Sequence, residues 1–200
     1  MTALREDLDL DHALEAVDQA GAAYLHDAID NGFLHQLRNE VARLPFEPMA
    51  AEEGRARQGG EVHPLHDLAS TATVHQLGDE LADSIHTRGA AIPGCPEWQP
   101  NEVFIQRYQA GDLGITPHLD LKRYRYLVAI VTAEGAAPFT LCKDRSGAAL
   151  TTWPADAGSL ILLRGPGLGH VERARPLHAV SGPSAGQRIS ISYRMDTSTP

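Results

Sequence analysis

Two β-like runs flank a short polar segment in residues 104–131, which read FIQRYQAGDLGITPHLDLKRYRYLVAIV. Near the middle of this stretch, His118 and Asp120 lie two positions apart. At a strand end, residues i and i+2 point to the same side of the pleat, so both side chains could hold one metal ion. The same spacing is also common by chance, and two ligands leave a metal site incomplete. The meaning of the pair therefore depends on the rest of the chain.

Length and composition favour a single globular domain. The chain has 200 residues, of which 42% are hydrophobic, and this is too short for two full domains. No apolar run is long enough to span a bilayer, and the acidic N-terminus does not resemble a signal peptide. Cys95 and Cys142 are the only cysteines, which excludes a disulfide scaffold. We therefore expect a reduced, cytoplasmic protein with no membrane partner.

Acidic residues are concentrated in the first quarter of the chain. The net charge is -9, and residues 1–50 contain ten Asp and Glu residues against three arginines. Surfaces that bind nucleic acid usually carry clustered Lys and Arg. The charge distribution therefore makes nucleic acid the less favoured partner.

The spacing of apolar residues changes from helical to β-like along the chain. Helical spacing occurs in residues 11–20, in a segment from an N-cap at Asn31 to a stop at Pro45, and in residues 70–86. A short strand is possible in GAAYLHDAI, and the polar, glycine-rich residues 52–60 predict a mobile loop. Seven short β-like runs follow residue 100: EVFIQRY, YRYLVAIVT, PFTLC, ALTTW, SLILLRG, LHAVSG and RISISYR.

Short strands separated by turn residues are typical of an antiparallel sandwich or barrel. We predict an α+β fold with a double-stranded β-helix, or jelly roll, braced by N-terminal helices. The whole chain, 1–200, would form one domain. Residues 1–97 would provide a helix-rich support and the substrate side, and residues 98–196 would form the catalytic core.

A complete iron site of the non-haem type needs a second histidine, which gives two imidazoles and one carboxylate with open positions. In the β-rich half, only His170 and His178 are available besides His118. His178 lies in the strand-like RPLHAVSG, whereas His170 lies in the loop-like GPGLGHVER. The residues alone leave both candidates open.

The last β-like run, RISISYR at 188–194, has one polar and one apolar side. Its polar side carries two arginines and two serines, a pattern that predicts a bound anion because guanidinium groups pair bidentately with carboxylates. Tyr108, ten residues before His118, could add a hydroxyl to the same carboxylate. The residues of the polar side are Arg188, Ser190, Ser192 and Arg194.

Five segments in order resemble the motifs of the Fe(II)/2-oxoglutarate-dependent oxygenases: QRYQAG, HLD, PADAGSLILLRG, LHAV and RISISYR. The last is similar to R-x-N-x-T-x-R of the AlkB-like branch, and the resemblance covers roughly residues 98–196. It implies that His118, Asp120 and His178 bind Fe(II). It also implies an enzyme that uses O2 and the cosubstrate 2-oxoglutarate, releases succinate and CO2, and hydroxylates a substrate. Halogenating relatives have a small residue at the position of Asp120, so the aspartate favours hydroxylation.

The same resemblance assigns the cosubstrate residues. Arg188 would pair with the distal carboxylate of 2-oxoglutarate, helped by Tyr108 and Ser190. Arg194 would lie near the other end of the cosubstrate or near the substrate.

Departures from the AlkB-like pattern bear on the substrate. Gln106 stands where the branch usually has Asn, which is a mild change. Base-repair relatives usually have an acid two residues after the ligand aspartate, whereas this chain has Lys122 followed by Arg123. These cations would repel a cationic methylated base and attract a carboxylate or phosphate, so both are predicted to contact the substrate.

Three functional hypotheses follow. The first is a dioxygenase that hydroxylates a small molecule, and we expect this substrate to bear a carboxylate. The second is an AlkB-type oxidative demethylase of alkylated nucleic acid. The third is a non-catalytic jelly roll that binds a metal or a carboxylate ligand, and it is disfavoured because the metal ligands and the anion-binding arginines are both complete. Lys122 and the acidic first quarter favour the first hypothesis.

Overall fold

The computed structural model describes residues 1–63 and 71–198. Within them the helices are α1 (Leu10–Ala20), α2 (Asn31–Val41) and α3 (Ala72–Arg88). The strands before α3 are β1 (Ala22–Leu25), β2 (Glu47–Pro48), β3 (Glu52–Glu53), β4 (Ala56–Gly59) and β5 (Glu61–His63). The strands after it are β6 (Glu102–Gln109), β7 (Gly114–His118), β8 (Tyr124–Glu134), β9 (Phe139–Cys142), β10 (Ala149–Trp153), β11 (Leu160–Arg164), β12 (His178–Val180) and β13 (Gln187–Asp196).

The strands form two antiparallel sheets. The major sheet has the order β1-β11-β8-β13-β6-β5-β2, and the minor sheet has the order β10-β9-β12-β7-β4-β3. A buried cluster joins Val128 and Ile161 of the major sheet to Phe139 and Val180 of the minor sheet, so the sheets pack face to face. The predicted α+β fold with a jelly-roll core is confirmed.

The helices cover the other face of the major sheet. Leu14, Leu37 and Leu77, one from each helix, belong to the same buried cluster as Ile189 and Ile191 of β13. This cluster is larger than the one between the sheets, and it buries the apolar side of β13. The amphipathic spacing that predicted the helices therefore marks the surface they pack against the sheet.

The start of α2 differs from the prediction by one residue. Asp30, not Asn31, is the N-cap, because its side chain accepts hydrogen bonds from the amides of Gly32 and Phe33 at 2.9 and 3.0 Å. The helix ends at Val41, before Pro45. The predicted start of α3 at residue 70 lies outside the described residues. None of the described helices has the length and apolar character needed to cross a membrane.

The mobile loop predicted for residues 52–60 is wrong, because this segment is a β-hairpin. Strands β3 and β4 pair with each other, and β4 also pairs with β7 through Gln58–Ile115 and Gly59–Gly114. The edge of β7 supplies backbone partners that no local pattern reveals, and these partners override the low strand propensity of the segment. Gly54 forms the turn with φ of +59°, a conformation that glycine adopts easily.

The first half of the chain also builds the sheets. The predicted short strand is confirmed as β1, which pairs with β11 at one edge of the major sheet. At the opposite side of that sheet, β5 pairs with β6. Residues 1–63 thus complete both sheets as well as supplying α1 and α2.

Candidate active site

Three of the predicted site residues meet where β7 and β12 lie side by side. His118 and His178 are register partners in this pair of strands, and Asp120 follows β7 by two residues. One ligand atom from each of the three lies within 4.8 Å of the others, and His178 Nε2 is 3.8 Å from an Asp120 oxygen. Across residues 1–63 and 71–198, no other group of His, Cys, Asp and Glu converges in this way. His170 lies outside the group, so the structure brings His178 to the pair.

Hydrogen bonds orient both imidazoles. Nδ1 of His118 is 3.0 Å from the carbonyl oxygen of Thr116, and Nδ1 of His178 is 3.1 Å from that of Pro176. A carbonyl oxygen can only accept, so each Nδ1 carries the proton and donates it. In the neutral form of a ring with this tautomer, Nε2 is the nitrogen that can bind a metal, as in many histidine metal sites.

The environment keeps His118 neutral at physiological pH. Burial, with the neighbouring His178 as a second cause, lowers the pKa of His118 to about 4, although Asp120 partly opposes the shift. A neutral imidazole is the form that binds a metal ion. Phe139 stacks on the ring of His178 with an interplanar angle of 11° and a centroid distance of 5.2 Å, which further fixes the orientation of this imidazole.

A small cavity next to the three residues contains the guanidinium of Arg188. Arg188 is 1% exposed, and its partners are the hydroxyls of Ser190 and Thr132 at 3.1 and 3.0 Å and the carbonyl of Ala155 at 3.5 Å. No carboxylate in the described part of the chain lies within 4.0 Å of it. Burial lowers the pKa of Arg188 to about 10, so it is still charged at neutral pH. A buried cation with only neutral partners is costly unless an anion joins it.

Tyr108 adds a second unused donor to this cavity. Its side chain is 1% exposed and its hydroxyl has no hydrogen-bond partner among the described residues. Most buried hydroxyls are paired, so an unpaired one beside an uncompensated cation indicates a place for a ligand oxygen. Arg188, Tyr108 and Ser190 all line the cavity, and together they fit a carboxylate.

Arg194 lies between this cavity and a second one that opens outward, since it lines both. Its Nη1 is 3.3 Å from both a Glu102 oxygen and the Tyr124 hydroxyl. The guanidinium also lies 4.7 Å from the centroids of the Phe104 and Tyr124 rings. From this position Arg194 could contact the far end of a ligand held by Arg188, or it could contact the substrate. Both predicted alternatives therefore remain open.

The outer cavity has a volume of about 290 Å³ and reaches His118 and Asp120. Of the two cations predicted to contact the substrate, Arg123 lines this cavity and is 3.0 Å from an Asp196 oxygen. Lys122 is exposed and lies outside the lining that the described residues form. The structure therefore brings only one of the two to the cavity.

Part of the cavity wall comes from residues that the sequence did not single out. Met49, Gln58 and Val62, all from the first half of the chain, line this cavity together with Phe104 and Ile115 of the core. The prediction that residues 1–97 form the substrate side named none of them. The position of Gln58 at the cavity can be inferred only when the pairing of β4 with β7 is known, because side chains alternate between the two faces of a strand.

No family model and no curated protein matches the sequence. Solved structures do match it over nearly its whole length. The chain is similar to an oxidoreductase of the 2OG-Fe(II) oxygenase family from Burkholderia pseudomallei, with 16% identity, a TM-score of 0.63 and coverage of 96% of this chain and 92% of that one.

Two further structures give the same result. A prolyl-4-hydroxylase from Pseudomonas putida is 14% identical, with a TM-score of 0.60 and coverage of 94% of this chain and 98% of that one. AviO1 from Streptomyces viridochromogenes Tue57 is 13% identical, with a TM-score of 0.66 and coverage of 98% of this chain and 99% of that one. At such identities the likeness concerns the fold, and the chain has the fold of the 2OG-Fe(II) oxygenases.

Proposed function

We propose that the protein is an Fe(II)/2-oxoglutarate-dependent dioxygenase that hydroxylates a small molecule. The observation that carries this proposal is a single cavity lined by His118, Asp120, His178 and the buried Arg188, which has no acidic partner among the described residues. Two histidines and one carboxylate with open positions are typical of non-haem Fe(II) oxygenases. The shared fold supports the same conclusion.

Each residue has a distinct part in this proposal. His118, Asp120 and His178 hold Fe(II), which supplies the O2-dependent decarboxylation of 2-oxoglutarate to succinate and CO2, coupled to hydroxylation. Arg188 holds the distal carboxylate of 2-oxoglutarate. The hydroxyl of Tyr108, which has no partner among residues 1–63 and 71–198, donates to that carboxylate, and Ser190 keeps the guanidinium in place.

The outer cavity supports a small-molecule substrate. Its volume of about 290 Å³ is near the lower end for pockets that bind small molecules. Arg123 and Arg194 support a substrate that bears a carboxylate. Both arginines already face an acid, Asp196 and Glu102 respectively, so a substrate carboxylate must compete with these groups. We therefore expect weak recognition through charge and stronger recognition through shape.

The alternative is an AlkB-type demethylase of alkylated nucleic acid, which would also place the chain in the AlkB-like branch. The net charge of -9 argues against a polyanionic nucleic acid as partner, and Arg123 at the outer cavity argues against a cationic methylated base as substrate. A salt-sensitive shift of single-stranded DNA by the protein would favour the alternative. The assignment to the cytoplasm is likewise part of the proposal.

Succinate formation tests the proposal. Protein supplied with Fe(II), O2 and 2-oxoglutarate should release succinate, and the true substrate should stimulate this release in a screen of metabolites. His178→Ala should abolish succinate release and weaken Mn(II) binding, and His118→Ala and Asp120→Ala should do the same, because two ligands rarely hold the ion in water. His170→Ala is the matched control and should keep most of the activity.

Two results would contradict the proposal. If wild-type protein bound Mn(II) but released no succinate under any condition, the non-catalytic hypothesis would replace it. If His170→Ala lost Mn(II) binding while His178→Ala kept it, the wrong histidine would have been assigned.

A further inference from the structure

A second surface cleft lies on the other side of β4 from the substrate cavity. It is an open cleft of about 470 Å³ that includes three arginines, and we call it the basic cleft. Along β4 and the turn before it, Ala56 and Gln58 line the substrate cavity, whereas Arg55 and Arg57 line the basic cleft. The remaining residues of the cleft are Thr116 and Pro117 of β7 and Arg145 and Ser146 of the β9–β10 turn.

The three arginines of the cleft have no carboxylate within 4.0 Å in the part of the chain described here. The chain as a whole is acidic, with 26 Asp and Glu residues against 17 Lys and Arg residues. Asp144, next to Arg145, accepts instead from the amide and the hydroxyl of Ser146 at 2.8 and 2.5 Å. Like charges lining one cleft repel each other, and a bound anion would relieve this repulsion.

Hydrogen bonds hold the walls of the cleft together. Nη1 of Arg145 donates to the carbonyl of Pro117 at 3.2 Å, which ties the β9–β10 turn to β7. The backbone amide of Arg57 donates to the hydroxyl oxygen of Thr116 at 2.9 Å, which ties β4 to the same strand. Because this hydroxyl accepts from Arg57, its own proton is available to donate to a ligand. The cleft thus combines guanidinium groups with a positioned hydroxyl.

The cleft adjoins the candidate active site through two shared elements. The carbonyl of Thr116 orients His118. Alternate side chains of β4 line the substrate cavity on one face of the strand and the basic cleft on the other. An anion in the basic cleft would therefore contact the strands that form the walls of the substrate cavity. The anion could be part of the substrate, in which case the substrate must be longer than the outer cavity to reach both the basic cleft and the metal site. Alternatively, the anion could be a separate ligand.

We propose that the basic cleft binds a phosphate-type dianion, either a phosphoryl group on the substrate or free phosphate. Guanidinium forks match the oxygens of such a group bidentately, and a hydroxyl donor completes its coordination. The cleft is confined to three arginines in an acidic chain, whereas nucleic acid would need a broader basic surface. The inference goes beyond the proposed function, since it concerns a binding site separate from the metal ligands.

Calorimetric titration of the whole protein with inorganic phosphate, at low and constant ionic strength, tests this site. Arg57→Gln and Arg145→Gln should each weaken phosphate binding about tenfold or more, because each removes a charged hydrogen-bond donor. Arg43→Gln is the matched control, since Arg43 is exposed and lies outside the cleft, and it should leave the affinity unchanged. Glu52→Gln should tighten binding, because Glu52 is the cross-strand neighbour of Arg57.

Titration with a sugar phosphate separates the two sources of the dianion. Tighter binding of the sugar phosphate than of phosphate would assign the cleft to a substrate phosphoryl group, and equal binding would assign it to free phosphate. The proposal is overturned if wild-type protein and Arg57→Gln bind phosphate equally, or if Arg43→Gln loses as much affinity as Arg57→Gln. Succinate release without phosphate should be normal in Arg57→Gln. Loss of the phosphate site would therefore leave the proposed oxygenase function untouched, and a lack of succinate release would leave the phosphate titration interpretable.

Discussion

Arg188 is the residue on which the cosubstrate assignment depends. We expect Arg188→Lys to raise the apparent KM for 2-oxoglutarate about tenfold to a hundredfold, although the charge is kept. A lysine is a point charge on a flexible stem and cannot make the two parallel hydrogen bonds of a guanidinium. Each hydrogen bond to a charged group contributes about 1.5–3 kcal/mol, which corresponds to that range. The measurement is succinate release as 2-oxoglutarate is titrated.

Arg194→Lys serves as the comparison for this variant. Fe(II) or Mn(II) binding without 2-oxoglutarate should be normal in Arg188→Lys, because Arg188 is not a metal ligand. An unchanged KM in Arg188→Lys together with a large rise in Arg194→Lys would mean that Arg194, at the other end of β13, binds the distal carboxylate. If neither variant responded, the cosubstrate assignment would be wrong.

The buried His118 gives the metal-free protein a pH-dependent stability. Unfolded, this histidine binds a proton at its ordinary pKa of 6.5, whereas in the folded protein the pKa is about 4. Between these values the unfolded state holds more protons, so the free energy of unfolding falls as pH decreases through this window. One such site contributes a slope of up to about 1.4 kcal/mol per pH unit.

Urea unfolding of the metal-free protein at several pH values from neutral to about 4 measures this slope. His118→Gln is the control, since it removes the titrating group and should flatten the dependence by the contribution of one proton. Equal slopes in the two proteins would show that His118 is not kept neutral by the folded structure.

At the level of single residues, the sequence predicted those site residues whose side-chain direction follows from the alternation of side chains between the two faces of a strand. His118, Asp120 and Arg188 could be found because period-two spacing in a strand assigns side chains to one face. The groups that hold Arg188 could not be found, since Thr132 is 56 positions away and Ala155 is 33 positions away. Such contacts exist only after the sheets have formed.

Among the structural elements, the turn between β4 and β5 positions Tyr108. Gly60 has φ of +150°, and a Cβ atom there would lie 2.7 Å from Cδ1 of Tyr108. We expect Gly60→Ala to push the Tyr108 ring away, to raise the KM for 2-oxoglutarate, and to lower the free energy of unfolding by about 1–3 kcal/mol. Succinate kinetics and urea unfolding measure the two effects.

Gly54→Ala is the matched control in the neighbouring turn. Gly54 also has positive φ, +59°, but a Cβ atom there would meet nothing within 4 Å. This variant should cost only the backbone strain, about 1–2 kcal/mol, and should leave the KM unchanged. A normal KM in Gly60→Ala would mean that Tyr108 does not contact the cosubstrate, or that its ring tolerates the shift.

The elements that the sequence missed are those that depend on distant partners. Strand β13 was readable from RISISYR alone, because its polar and apolar sides alternate without a break. The β3–β4 hairpin was not readable, since its glycine-rich sequence has little strand propensity and its partner β7 lies more than fifty residues later. Helix α2 was predicted with its N-cap displaced by one residue, an error within the usual uncertainty of helix ends.

For the whole molecule, the contribution of the first half to both sheets has a testable consequence. A fragment of residues 98–200 would lack the five strands β1 to β5 and the helices α1, α2 and α3. It would expose the edges of β11, β7 and β6 and the apolar face of the major sheet to water. We expect this fragment to show no cooperative unfolding transition and to aggregate. Circular dichroism during thermal denaturation measures this, and a cooperative transition would show that the core folds without residues 1–97.

The positions of the proposed metal ligands and of Arg188 predict how cosubstrate binding would affect the motion of the two sheets. His118 and His178 belong to the minor sheet, whereas Arg188 belongs to the major sheet, and all three line one cavity. A molecule held by the metal at one end and by Arg188 at the other would act as a cross-link between the sheets. Transient separation of the two sheets would then become rarer when the cosubstrate binds. The amide hydrogens of β7, β12 and β13 would exchange with solvent more slowly, and these three strands would open together as one cooperative unit.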